Sequence, residues 1–176
     1  MSDPVSAPES APDPPGRRDE PLQRLLFGGV YGTVLASALA AALDHDTGPD
    51  DPGYDALWIM VAALVSATGH GYAHAIAHRT ADEKPVTAST VRSVLTEWPL
   101  VAAALPTGAV LLGSYWGWWG ENAAIDAALT INTAALFGWG LWAARTAGRG
   151  WWSACRVGAV DVLIGLVIVA ANVLTK

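Results

Sequence analysis

The sequence predicts an all-α protein of five membrane-spanning helices with the N-terminus inside and the C-terminus outside. Three observations predict it: the composition, the confinement of the charges, and the side on which the basic residues fall. Of the 176 residues, 52% are hydrophobic and only 15% are charged, whereas a soluble domain carries about a quarter charged residues. Most of the charges fall in an N-terminal tail and short gaps, which leaves five apolar runs. Each run is about 20 residues long, enough to cross a ~30 Å hydrocarbon layer. Together they occupy residues 22–176 as one transmembrane domain, and no separate soluble domain fits beside them.

Residues 1–21 hold six of the eleven prolines, set among Ser, Ala, Asp and Glu. Such a segment buries too little apolar surface to offset its ordering entropy, and a disordered cytoplasmic tail is expected. The first span covers residues 22–43. Gly28, Gly32, Ala36 and Ala40 form a row of small residues one turn apart, the pattern that lets helix backbones approach in lipid. Arg17, Arg18 and Arg24, with Ala38-Leu39-Ala40, also suit a cleaved signal peptide. A retained helix is favoured, because the apolar run exceeds a signal's apolar region and Asp19 and Glu20 precede it.

Residues 44–53 form a loop rich in Asp, Gly and Pro. Asp44, Asp46, Asp50 and Asp55 fall at calcium-loop spacing, but Pro49 stands where that loop needs glycine and Asp55 where it needs Glu. A solvated loop is expected. The second span, residues 54–78, carries two adjacent rows: Ala62, Ser66, His70, His74, His78 and Ala63, Ala67, Gly71, Ala75. Three of the four histidines therefore stack beside a small-residue face, which is the face expected to meet another helix. Residues 79–94 are a polar connection, broken at Pro85, with a short interfacial helix allowed over 87–95.

The third span covers residues 96–113. Thr96 is its expected N-cap, with Glu97, Trp98 and Pro99 in the first turn. Pro106 falls mid-helix, where it removes a hydrogen bond. Trp116, Trp118 and Trp119 then follow as anchors at headgroup level. The fourth span, residues 123–147, contains Asp126, Asn132 and Thr133. The fifth, residues 151–174, opens on Trp151-Trp152 and contains Arg156 and Asp161. The lone Cys155 excludes an internal disulfide, and it reads as a small buried hydrophobe.

With five spans, Arg17, Arg18, Arg24, Arg79, Lys84, Arg92, Arg145, Arg149 and Arg156 share one side, against Lys176 on the other. The positive-inside rule makes that side cytoplasmic and the protein a multi-pass component of the cell membrane. The lipid bilayer is its first partner, and the small-residue rows also allow a homo-oligomer. No basic patch interleaved with aromatics points to nucleic acid.

Orientation lets depths be compared at 1.5 Å per residue. His78 lies at the cytoplasmic edge, His74 ~7 Å in and His70 ~13 Å in. Glu97 and Arg156 fall ~7 Å deep and Asp161 ~15 Å. His70, His74, Glu97, Arg156 and Asp161 are thus a candidate polar cluster in the cytoplasmic half. Three readings compete for it. A proton or cation pathway would use these titratable groups as a relay. Alternatively, the groups only pair with one another and fix helix packing. In the third reading, His70 and His74 hold a divalent metal with Asp161 or Glu97 as the carboxylate ligand. No cofactor beyond such a metal is expected. Enzymatic motifs such as H-E-x-x-H, G-x-S-x-G or a phosphate-binding glycine loop do not occur, so the sequence gives no ground for an enzyme.

Several short motifs carry a resemblance. They are Val30-Tyr31-Gly32-Thr33, Tyr72-Ala73-His74, Trp98-Pro99 with Ala104-Leu105-Pro106, Leu136-Phe137-Gly138-Trp139-Gly140 and Gly165-Leu166-Val167-Ile168-Val169. With these the chain resembles a group of small integral membrane proteins of high-GC Gram-positive, actinobacterial type. That resemblance implies a helical membrane fold and brings no activity or functional residue with it. Five-helix metal transporters differ, since residues 22–43 lack their acidic, methionine-bearing first helix.

Overall fold

The computed structural model describes residues 20–44, 51–79, 91 and 93–175. The tail before Glu20, the loop over 45–50, most of the polar connection and the His78 side chain lie outside the described residues. The chain forms five long helices: α1 (Glu20–Leu43), α2 (Pro52–Arg79), α3 (Trp98–Tyr115), α4 (Glu121–Thr146) and α5 (Trp151–Thr175). All five are long and apolar enough to cross a membrane. No strand occurs among the described residues.

The helix ends follow from local chemistry. Asp51 starts α2: its Oδ1 accepts the Tyr54 N–H at 3.0 Å, and Pro52 fills the first helical position, where no N–H is needed. At α3 the expected Thr96 cap is not made. The Thr96 hydroxyl instead donates to the Ser93 carbonyl at 2.7 Å, because Thr96 closes a preceding helical turn over 93–96. Glu97 is the turn residue between that segment and α3. The exits of α3 and α4 are both Schellman turns. Trp118 N–H bonds the Gly113 carbonyl and Arg149 N–H the Ala144 carbonyl, each at 3.0 Å. Gly117 and Gly148 take the left-handed conformation these turns require, with φ of 79° and 75°.

Neighbouring helices run up and down. Helix α3 packs against α1, α2 and α4, while α5 packs mainly on α4. Gly28 and Gly32 of α1 face Pro99 and Leu100 in parallel register, whereas Gly108 faces Met60 of the antiparallel α2. Gly158 faces Phe137, and Gly165 faces Thr133. The first turns of α1, α3 and α5 and the last turns of α2 and α4 consequently share one end of the bundle. At the other end Asn172 donates to Asp44 at 3.1 Å.

Both small-residue rows meet helices of the same chain. Gly28, Gly32, Ala36 and Ala40 are buried on α1, and Ala63, Ala67, Gly71 and Ala75 on α2. The outward faces are apolar, with Leu57, Val65, Leu163, Val167 and Leu174 all exposed. Helix α5 is the most apolar of the five, yet only 17% of its apolar stretch is buried. In water such a surface would aggregate, whereas in a bilayer it meets hydrocarbon.

Two side-chain pairs join interior polar groups of different helices. Asn132 Nδ2 donates to Thr107 Oγ1 at 2.8 Å between α4 and α3. Trp139 Nε1 donates to Thr33 Oγ1 at 3.2 Å between α4 and α1. Asn132→Ala is expected to lower stability by about 1–2 kcal/mol, the size of an interhelical hydrogen bond in lipid. Unfolding of the variant in mixed detergent micelles measures that loss.

Candidate metal centre

The end of the bundle where α1 begins, α2 ends and α3 begins carries the candidate site. His70 and His74 stand one turn apart on α2, with ring centroids 4.9 Å apart and planes at 78°. Gly71 lies between them on the buried face. A Cβ there would stand 2.6 Å from the Val94 backbone, so its hydrogen admits the helical turn over 93–96 against α2. That approach carries the following residue, Glu97, onto the histidine face. One ligand atom from each of His70, His74 and Glu97 lies within 4.8 Å of the other two.

The His70 ring is held by stacking. Phe27 lies 5.0 Å away at 18°, and Tyr31 6.3 Å away at 25°, both on α1. Stacking occupies the face of the imidazole and leaves its in-plane nitrogens available for coordination. Glu97 is 4% exposed and does not cap α3 with its side chain. Among the described residues its carboxylate has neither a hydrogen bond nor an ion pair. A cation bound beside the two imidazoles would give that carboxylate a partner.

The three residues line a cavity of about 310 Å³ together with Gln23, Arg24 and Phe27. Arg24 enters from the first turns of α1, where Nη1 lies 3.5 Å from Thr96 Oγ1, the outer limit of a hydrogen bond. Two imidazoles and a carboxylate form a borderline donor set that suits Zn, Co, Ni or Cu rather than Mg or Ca. A zinc-type ion held by these three residues would have room for one further ligand.

Of the five polar residues matched by depth, the structure brings together His70, His74 and Glu97 but not Arg156 and Asp161. Asp161 is on α5, where its carboxylate lies against Gly140 of α4. Arg156 is exposed and forms no ion pair among the described residues. The physical reason is adjacency: α5 packs on α4, while α2 packs on α3. Equal depth therefore does not become contact, and the carboxylate beside the histidines is Glu97 rather than Asp161. The sequence reading missed Arg24, Gln23 and Phe27. The available signal was Phe27-x-x-x-Tyr31, an aromatic pair one turn apart on the helix that carries Arg24.

Comparison with protein-family models, with curated proteins and with solved structures gives no match for this chain.

Proposed function

We propose that this chain is a multi-pass protein of the cell membrane that binds a divalent transition-metal cation through His70, His74 and Glu97 at its cytoplasmic end. One observation carries the reading: two imidazoles and a buried, unpaired carboxylate converge within 4.8 Å on the wall of one cavity. The orientation rests on the positive-inside rule. Arg24 near the start of α1, Arg145 at the end of α4 and Arg156 early in α5 lie at the same end of the bundle as the site. The cation is held at that end rather than passed along the bundle axis. In support, the polar pairs further in, Thr107 with Asn132 and Thr33 with Trp139, already satisfy each other.

Titration of purified, metal-free protein with Zn²⁺ in a calorimeter tests this reading. One saturable site is expected. His70→Ala is expected to weaken it by at least about 100-fold, since losing even an outer-shell partner costs 10–100-fold. Equal heats from the wild type and the variant would leave the polar residues a packing role only.

A further inference from the structure

We infer that the cation is taken together with a small oxyanion of the phosphate class, held between the metal and Arg24. The inference rests on the metal-binding reading and deepens it. Arg24 and Glu97 carry opposite charges and line the same 310 Å³ cavity. Among the described residues neither makes an ion pair, and the Arg24 guanidinium reaches only Thr96 Oγ1 at 3.5 Å. Two opposite charges that face one cavity without meeting leave room for a ligand that satisfies both.

A metal on His70, His74 and Glu97 supplies the first half of that ligand. It draws on the Glu97 charge and still has room for one further ligand. Metal, Glu97 and Arg24 together carry two net positive charges. An oxyanion that donates one oxygen to the metal and two to the guanidinium lowers that excess, and the planar fork of arginine suits phosphate oxygens. The volume is adequate, since a water occupies about 30 Å³ and a phosphate a few times that. Gln23, on the same wall, adds a neutral amide donor. Free phosphate and the phosphate of a lipid headgroup share this chemistry.

The test uses the full chain in phosphatidylcholine nanodiscs with Co²⁺, whose visible absorption reports its ligands. Millimolar inorganic phosphate is expected to tighten Co²⁺ binding about tenfold, a typical coupling between two ligands, and to shift the absorption band. Arg24→Gln is expected to retain Co²⁺ binding that depends on His70 and to lose the phosphate-dependent gain. Arg24→Lys, which keeps the charge without the fork, is expected to keep part of the gain, and it decides the matter should the glutamine variant fail to fold. Replacing some phosphatidylcholine by phosphatidic acid separates the sources. A gain without free phosphate assigns a lipid headgroup, and a gain only with free phosphate assigns a soluble anion.

An equal gain in wild type and Arg24→Gln, or no gain in the wild type from either inorganic phosphate or phosphatidic acid, overturns the inference while leaving the metal site standing. So does tighter Co²⁺ binding by Arg24→Gln without phosphate, which would mean that Arg24 pairs with Glu97 directly. Absence of Co²⁺ binding that depends on His70 overturns both.

Discussion

Glu97→Gln is expected to weaken divalent-cation binding by about 100-fold, or roughly 2.8 kcal/mol, while leaving the metal-free protein as stable as before. Both outcomes follow from one geometry. Glutamine has nearly the shape of glutamate, so the turn between segment 93–96 and α3 is kept. What disappears is the negative charge that a cation needs beside two neutral imidazoles. In the metal-free protein the Glu97 side chain is 4% exposed and makes no hydrogen bond or ion pair among the described residues, so the amide loses no partner. A residue that only fixed packing would show the opposite pattern, with stability falling and no cation effect. Calorimetric titration and detergent unfolding of the same preparation measure both quantities.

Gly32→Ala is expected to cost about 3 kcal/mol, toward the upper end of what overpacking a core costs. A methyl at position 32 would collide with the Leu100 carbonyl oxygen and stand 2.9 Å from the Ala103 Cβ. The first obstacle is backbone, which no rotamer change can move, so α1 and α3 must separate. Gly69→Ala is the control. It lies inside α2 with nothing within 4 Å of its added methyl, and alanine is the better helix former by about 1 kcal/mol. Gly69→Ala is therefore expected to be neutral or stabilising. Because Phe27 and Arg24 line the cavity beside His70, His74 and Glu97 from α1, Gly32→Ala is also expected to weaken cation binding, whereas Gly69→Ala is not.

The five spans were legible in the sequence because apolar runs between segregated charges fix helix number and length with little reference to neighbours. Each long helix falls within two residues of its expected bounds. The rows Gly28-Gly32-Ala36-Ala40 and Ala63-Ala67-Gly71-Ala75 were legible as contact faces for a similar reason, since spacing alone says which side chains share a face. Adjacency was not legible. Depth along an axis can be counted from the sequence, but the neighbour of each helix is set by how whole faces pack. His70 and His74 therefore stood out as a pair, while their third partner stayed open between Glu97 and Asp161. The choice turned on Gly71, which lets the turn before α3 approach α2, and on Gly140, which takes the Asp161 carboxylate on the far pair of helices. Thr96 shows the local version of the same limit. A Thr followed by Glu, Trp and Pro reads as an N-cap, but a further helical turn in front of it claims its hydroxyl first.

X-ray absorption at the metal edge of Zn²⁺-loaded protein reads the ligands of the bound ion. The expected spectrum contains two imidazole ligands with Zn–N of about 2.0–2.1 Å and a carboxylate oxygen at a similar distance. His70→Ala should halve the imidazole scattering, and Glu97→Gln should leave it intact. A spectrum of a hydrated ion surrounded only by oxygen, and unchanged in His70→Ala, would contradict the assignment of His70, His74 and Glu97 as a metal site.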